Sequence, residues 1–532
     1  MAEGRKAQVS EVAGGLAART ADPEAAAAGL HRYLEAAGAA ERRALAADPG
    51  LARALLTLLA NSEFLAEALI QSPELLLWLE AERRAARQRP REAWAADLAV
   101  YAADLAHDAR AHGLSRFKRR EYLRIAWRDL AGQASLAETT QDLSWLADAI
   151  LQQAYVWAWN DLAARYGTPQ AAGGGGAELA VLGLGKLGGG ELNYSSDIDL
   201  MFLYSSEGET AGGARATSNR EFFSRLAQAI TRTVSGVSGD GAAYRVDLRL
   251  RPGGREGEVA LALGHALEYY HGPARDWELQ MLIRARACAG SLRLAQCFLE
   301  AVEAQVYPAR PDAVGIADGV RRTRRRISEH LDRHRALGRQ RGGINVKLDP
   351  GGIRDIEFLA QYLQRLHGGR EPWVRHGNTL IALQRLHDKG WLAGGEFQRL
   401  SSAYWLLRHL EHRLQLRLGQ QTHTLPRRPE RLAALAHSLG EASGASAAGW
   451  SGEALAPAVS ACMEGVRRLS TKHLGADDPA VAPEAGTTMG GTSTNQDASA
   501  PPGQPALGWS AHGRRQWERL QRSAATTPAA EA

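Results

Sequence analysis

The stretch Gly183–Tyr204, GLGKLGGGELNYSSDIDLMFLY, constrains the fold most. A glycine-rich turn is followed, nine residues after Gly188, by Asp197 and Asp199 in an apolar run that otherwise reads as a buried β-strand. With the two-residue period of a strand, Asp197, Asp199 and Met201 face one way and Ile198, Leu200 and Phe202 the other. An unpaired buried carboxylate is costly, and two side by side cost more. Positive charge therefore belongs in front of this strand.

A second alternating run, YRVDLRLRP, places Arg245, Asp247, Arg249 and Arg251 on one face and Val246, Leu248 and Leu250 on the other. If the two strands are neighbours, Asp247 becomes a third carboxylate beside the first two. Three such groups repel one another unless Mg2+ or Mn2+ neutralises them, and oxygen ligands suit those ions. Two metals held this way serve in-line phosphoryl or nucleotidyl transfer, and flanking arginines suit the remaining phosphate charge. Gly188, Gly189 and Gly190 lack a Cβ, so their N–H groups are expected to approach phosphate oxygens. The turn is not a P-loop, because Lys186 precedes the last glycines, and no acidic-ended βαβ unit follows it. A lone D-x-D pair is a weak signal. The glycine turn, the paired aspartates and the later strand aspartate together point to a nucleotidyltransferase-type site.

At 532 residues the chain is too long for one core and suggests about three domains. A net charge of +5 permits an anionic ligand without demanding nucleic acid, and aromatic residues do not interleave with basic ones as on a single-strand platform. Cys288, Cys297 and Cys462 form no C-x-x-C pair, which fits a reducing compartment. No apolar run reaches 18 residues, so a cytoplasmic protein without a membrane segment is expected. Residues 22 to about 165 carry helical periodicity, enough for five or six helices, and Gly167–Gly176 reads as a breaker-rich linker. A β-turn-β-α-β order follows, then helices from about 310 that suggest an antiparallel bundle. The expected division is an N-terminal helical domain (1–168), a catalytic α/β domain (169–305), a helical bundle (306–475) and a disordered tail (476–532).

The stretch from Gly183, together with YRVDLRLRPGGREG, resembles the glutamine synthetase adenylyltransferase/adenylyl-removing enzyme family. The likeness extends through SEFLAEALIQSPELL, RDWELQMLIRARACAGS and INVKLDPGGIRDIEFLAQYLQ, over about residues 50–475. It implies an α+β multidomain protein, predominantly α, with a polymerase β-like nucleotidyltransferase domain flanked by helical domains. Family members usually hold two such halves, one removing AMP from a glutamine synthetase tyrosine by phosphorolysis and one adding it from ATP. The single D-x-D site corresponds to one half, and ELNYSSDIDL is more similar to the removing half. The resemblance implies Asp197, Asp199 and Asp247 as catalytic metal ligands for two Mg2+ ions, with Mn2+ as a substitute. Gly188, Gly189, Ser196, Arg249 and Arg251 would contact phosphate. Lys347 and Arg354, in KLDPGGIRDIEF, would reach nucleotide or substrate. Glutamine synthetase, phosphate, ADP or ATP, and a nitrogen-regulatory signalling protein are the implied partners, without nucleic acid or membrane.

Two departures from the family pattern stand out: Gly190 replaces a common Arg or His, and GGREGEVAL replaces a G-x-x-G-P-L-V-like segment. AMP transfer in the opposite direction, protein uridylylation and a catalytically silent binding module remain open alternatives. Elsewhere, RRTRRR at Arg321–Arg326 reads as a solvated helix face. RDWELQMLIRAR reads as one helix, on which Arg284 and Arg286 do not share a face.

Overall fold

The computed structural model describes residues 15–85, 88–237, 239, 241–336, 343–443 and 451–475. The expected disordered tail at 476–532 lies outside the described residues. The chain is mostly helical around a small mixed sheet. Among the described residues, no helix is long and apolar enough to cross a membrane.

Among the described residues from 22 onward, eight α-helices, from α1 (Pro23–Ala36) to α8 (Leu136–Tyr166), precede the sheet, rather than the five or six expected. Single residues divide what reads as continuous periodicity. Asp48 ends one helix and caps α3 (Pro49–Asn61), accepting from Gly50 and Leu51 N–H. Ser62 does the same for α4 (Glu63–Gln71), accepting from Leu65. Two longer helices matter most for the site. α7 (Arg110–Leu130) runs beneath it, and α8 is started by a capping box between Ser135 and Glu138.

The expected linker is not an open connection. Its first residues form β1 (Gly167–Pro169), which pairs with β4 (Thr210–Gly212) in a two-stranded ribbon. Gly167 has φ +82°, and a Cβ there would lie 2.2 Å from the Ala211 carbonyl oxygen, so the pairing needs glycine.

In the main sheet, β2 (Leu179–Gly183) and β3 (Ile198–Tyr204) are antiparallel. β5 (Val246–Asp247) and β6 (Ala260–Ala262) both run parallel to β3, at its two ends. β7 (Arg286–Gly290) closes the far edge against β2. The side-chain alternation read from DIDLMF holds. Ile198, Leu200, Phe202 and Tyr204 join a core with α7, α8 and α10 (Asn219–Ser235), including Phe222 and Phe223. Met201 and Leu203 join a separate core on the other face with Tyr270 and Phe298. Each fully buried large apolar side chain contributes about 1.5–3 kcal/mol, so β3 is fixed from both sides.

RDWELQMLIRAR is not one helix. α12 (Asp276–Leu282) stops short of the arginines, and Arg286 already belongs to β7. The remaining helices include α15 (Ala313–Ala336), α16 (Ile353–His367), α17 (Thr379–Asp388), α18 (Gly394–Leu418) and α20 (Gly452–Leu474). They pack around a core of their own that includes Leu359, Leu363, Leu407, Leu410 and Val466. Along the arginine run of α15, Arg322 and Arg326 are exposed, whereas Arg324 turns inward onto Asp355.

Candidate active site

Because β3 and β5 are parallel neighbours, Asp199 and Asp247 stand directly opposite each other. Asp197 precedes β3 by one residue, so the three carboxylates share one end of the sheet. Their mutual charge registers on Asp199, whose carboxyl is pushed up to about 7 by burial, then by Asp247 and Asp197, against the opposing pull of Lys347 and Arg249. The other two aspartates carry arginine partners. Arg245 Nε donates to Asp197 Oδ1 at 2.5 Å. Arg249 donates to Asp247 from its backbone N–H at 2.8 Å and from its guanidinium at 2.5–3.0 Å. Burial opposes ionisation of Asp247, but the Arg249 hydrogen bonds outweigh it and hold the carboxyl below its ordinary range. Both arginine side chains are more than half exposed, 52% and 63%.

The same Asp247–Arg249 turn ends β5 after two residues, shorter than the alternation through Arg251 predicts. Arg251 is consequently off the ionic face. Its guanidinium donates to the carbonyls of Leu248, Arg255 and Gly257, clasping the loop that follows.

The glycine turn also differs from expectation. Gly188 and Gly189 N–H groups donate to the Leu184 and Gly185 carbonyls at 3.0 Å, within the short helix α9 (Gly185–Gly188). Both N–H groups thus have backbone partners. Their missing side chains serve packing: a Cβ on Gly188 would lie 1.6 Å from the Arg284 carbonyl oxygen, and one on Gly189 2.8 Å from that of Gly377. The glycine that faces the carboxylates is Gly185, at φ +55°, where a Cβ would lie 2.7 Å from Asp199 Oδ2. Its position at the junction of strand and turn was the available signal.

Ser196 is partly buried beside Asp197. Lys347 is brought to the site, with its charge acting on Asp199 and its Nζ 3.8 Å from Glu411. Arg354 is partly buried on the first turn of α16 and joins this segment by its backbone N–H, 3.2 Å from the Lys347 carbonyl. Arg284 and Arg286 are both held by protein partners. Arg284 is buried against Glu191 and Glu357, and Arg286 pairs with Asp148 at 2.6 Å.

The segment between the glycine turn and the aspartates is gripped on every side, which the sequence reading missed. Arg408 of α18 donates to the Glu191 carbonyl at 2.7 Å and to Asn193 Oδ1 at 2.6 Å, and His412 Nε2 lies 3.2 Å from the same oxygen. Tyr194 donates to Asp129 of α7, and Arg413 binds that carboxylate at 2.7 and 3.0 Å. Despite burial, Arg413 holds the Asp129 carboxyl down at about 2. Ser195 N–H donates to Gln415, and Tyr122 of α7 donates to the Tyr194 carbonyl. The sequence carried one sign of this. Tyr404, Arg408, Glu411 and Gln415 form a polar stripe at helical spacing on a helix otherwise crowded with leucine.

As the side chains stand, the described residues contain no group of three or more acidic, histidine or cysteine side chains gathered to hold a metal ion. Asp197 is turned to Arg245 and Asp247 to Arg249.

With this geometry in view, the class of protein follows from comparison. Residues 52–301 match the family model described as glutamate-ammonia ligase adenylyltransferase, and residues 321–474 match the one described as GlnD PII-uridylyltransferase. Three similar curated proteins are each named bifunctional glutamine synthetase adenylyltransferase/adenylyl-removing enzyme. That from Hahella chejuensis is 35% identical over 392 residues, 73% of this chain and 40% of the relative. The Xanthomonas axonopodis pv. citri protein is 40% identical, covering 65% of this chain and 35% of its own. The Burkholderia mallei protein is 41% identical, covering 63% and 36%. Over residues 52–301 the chain carries the adenylyltransferase family domain, and it is similar to these bifunctional enzymes at 35–41% identity. It spans at most 40% of the length of these relatives.

Proposed function

We propose that this chain is a nucleotidyltransferase that removes AMP from the adenylylated tyrosine of glutamine synthetase by phosphorolysis. The observation that carries the reading is Asp199 set in register with Asp247 on parallel strands, with Asp197 one residue ahead and exposed arginines on both outer carboxylates. Three oxygen donors, the central one raised by burial and then by the charge of the other two, suit a hard divalent cation. Asp197, Asp199 and Asp247 would hold Mg2+, which when bound would neutralise developing phosphoryl charge.

The chain's own groups account for the remainder. Arg245 and Arg249, half in water, release their carboxylates and bind the phosphate oxygens. Lys347 faces the same charge from the bundle side. An oxygen of inorganic phosphate attacks the AMP phosphorus, the bond from phosphorus to the tyrosine oxygen breaks, and that oxygen takes up a proton as ADP leaves. The nucleotide is oriented by the rigid Glu191–Ser195 segment that leads into Asp197. Ser196 is the hydroxyl nearest in sequence to the carboxylates. ELNYSS favours removal over addition by its likeness to the removing half. Cytoplasmic location and docking of a nitrogen-regulatory protein belong to the same reading, as does the division of the chain at about 168, 305 and 475.

AMP-tyrosyl glutamine synthetase incubated with the protein, Mg2+ and phosphate should release ADP. If ATP instead drives AMP incorporation while phosphate yields no ADP, the direction is reversed. Full activity in Asp197→Asn/Asp199→Asn would overturn the site altogether.

A further inference from the structure

Glu411 lies in the C-terminal half of α18 with a fully buried side chain, yet four basic groups converge on it. Lys186 Nζ lies 3.3 Å away, Arg408 Nε 3.3 Å, His423 Nδ1 3.1 Å and Lys347 Nζ 3.8 Å. The two lysines come from separate segments, and the charge of Lys347 acts on Asp199. Lys186 follows Gly185, the glycine against the Asp199 carboxylate, and lies 3.7 Å from Glu357 as well. Lys347 sits in a segment tied to the bundle by Val346 N–H, which donates to the His423 carbonyl at 2.9 Å.

We propose that Glu411 is a positioning residue for the aspartate site, holding the Lys347 ammonium toward Asp199 and anchoring the glycine turn through Lys186. A buried ion cluster is weak support for stability, because apolar packing of equal volume does as well or better. It does fix orientation. A lysine has four rotatable bonds, and one buried carboxylate shared by two lysines sets where both ammonium groups sit. The C-terminal bundle thereby supplies part of a site whose carboxylates lie on the sheet. This inference rests on the nucleotide reading above.

The test uses the full chain. Mg2+-ADP and Mg2+-ATP binding are measured by titration calorimetry on wild type, Glu411→Gln, Glu411→Asp, Lys347→Met and the Glu411→Gln/Lys347→Met pair, with circular dichroism to confirm folding. Glu411→Gln should weaken nucleotide binding about tenfold, the loss expected of one charge-assisted contact. Glu411→Asp should recover part of it. The double variant should lose less than the sum of the two single losses, because both changes remove the same placement of Lys347. Wild-type binding in folded Glu411→Gln, or additive losses in the pair, overturns the role. Should Glu411→Gln fail to fold, Lys347→Met decides: affinity within about twofold of wild type overturns the proposal. A wild type that binds neither nucleotide overturns the nucleotide reading and the positioning role with it. A wild type that binds while the variants match it overturns the positioning role alone.

Discussion

Two regions a few residues apart use the same chemistry to opposite ends. At the aspartate mouth, Arg245–Asp197 and Arg249–Asp247 pair with guanidinium groups more than half in water. Just upstream, Arg284–Glu191 and Arg413–Asp129 pair with side chains exposed by no more than 7%. An exposed pair is worth about 0.2–1 kcal/mol, so a phosphorylated ligand can displace it. A buried pair is different: removing one partner strands the other and costs about 3–5 kcal/mol. The mouth is built to exchange partners, and the segment behind it is built not to.

The comparison breaks most sharply at the carboxylates. Asp199→Asn should reduce turnover by about a thousandfold or more, as loss of a central electrostatic group does. Folding should be unharmed, since the change relieves repulsion from Asp197 and Asp247. Steady-state ADP release and a thermal melt on the same sample check both halves of this expectation. Arg413→Met should do the reverse. Leaving the Asp129 carboxylate buried without its guanidinium, with only the Tyr194 hydroxyl on it, lowers stability by about 3–5 kcal/mol, read by urea denaturation, with activity lost only as the fold is lost.

The contrast also explains what was legible from sequence. Asp197 and Asp199 in an alternating apolar run, and the amphipathic α10, are local patterns whose period survives in the structure. β7 was not legible. Arg-Ala-Cys-Ala-Gly has weak strand preference, and its pairing with β2 comes from tertiary contact. The Asp247–Arg249 turn was hidden by a continuing alternation of Arg and Leu, which placed Arg251 on the wrong face. The packing role of the glycine run was hidden for a similar reason. Glycine permits a backbone approach without saying which neighbour approaches, and here Arg284 and Gly377 take the space. The polar stripe of α18 was not picked out, because charged residues on a helix usually face water. Only its leucine-rich flanks hinted that water had no access.

Smaller changes sharpen the boundary between the regions. Gly185→Ala adds a Cβ at positive φ and 2.7 Å from Asp199 Oδ2. It should cost about 1–2 kcal/mol of stability and cut ADP release about tenfold by displacing the carboxylate. Gly190→Ala has similar strain at φ +67° but meets nothing within 4 Å, so it should leave turnover near wild type and isolates the Asp199 contact. Arg249→Ala should change stability by less than about 1 kcal/mol. The half-saturating phosphate concentration should nevertheless rise about fivefold, the loss of one charge-assisted contact in water. If Arg249→Ala instead unfolds the protein, the mouth is structural after all.

The last test asks whether α7 also braces the third aspartate. Lys118 lies between the rings of Tyr122 and Tyr244, 4.8 and 4.1 Å from their centroids, and donates to the Ala243 carbonyl four residues before Asp247. Burial first, then Arg245 and Arg119, push its ammonium down to about 7. The unfolded chain holds that proton until about pH 10.4, whereas the folded chain releases it near 7. Between those values the unfolded state binds more protons, so this group makes stability rise with pH from about 7 upward. Below pH 7 both states are protonated and the slope vanishes. Urea denaturation of wild type and Lys118→Met at pH 6, 7, 8 and 9 should therefore give a wild-type minus variant difference that grows only above pH 7. A difference independent of pH would mean that Lys118 stays charged in the fold, and that the brace on Ala243 is an ammonium rather than a neutral amine.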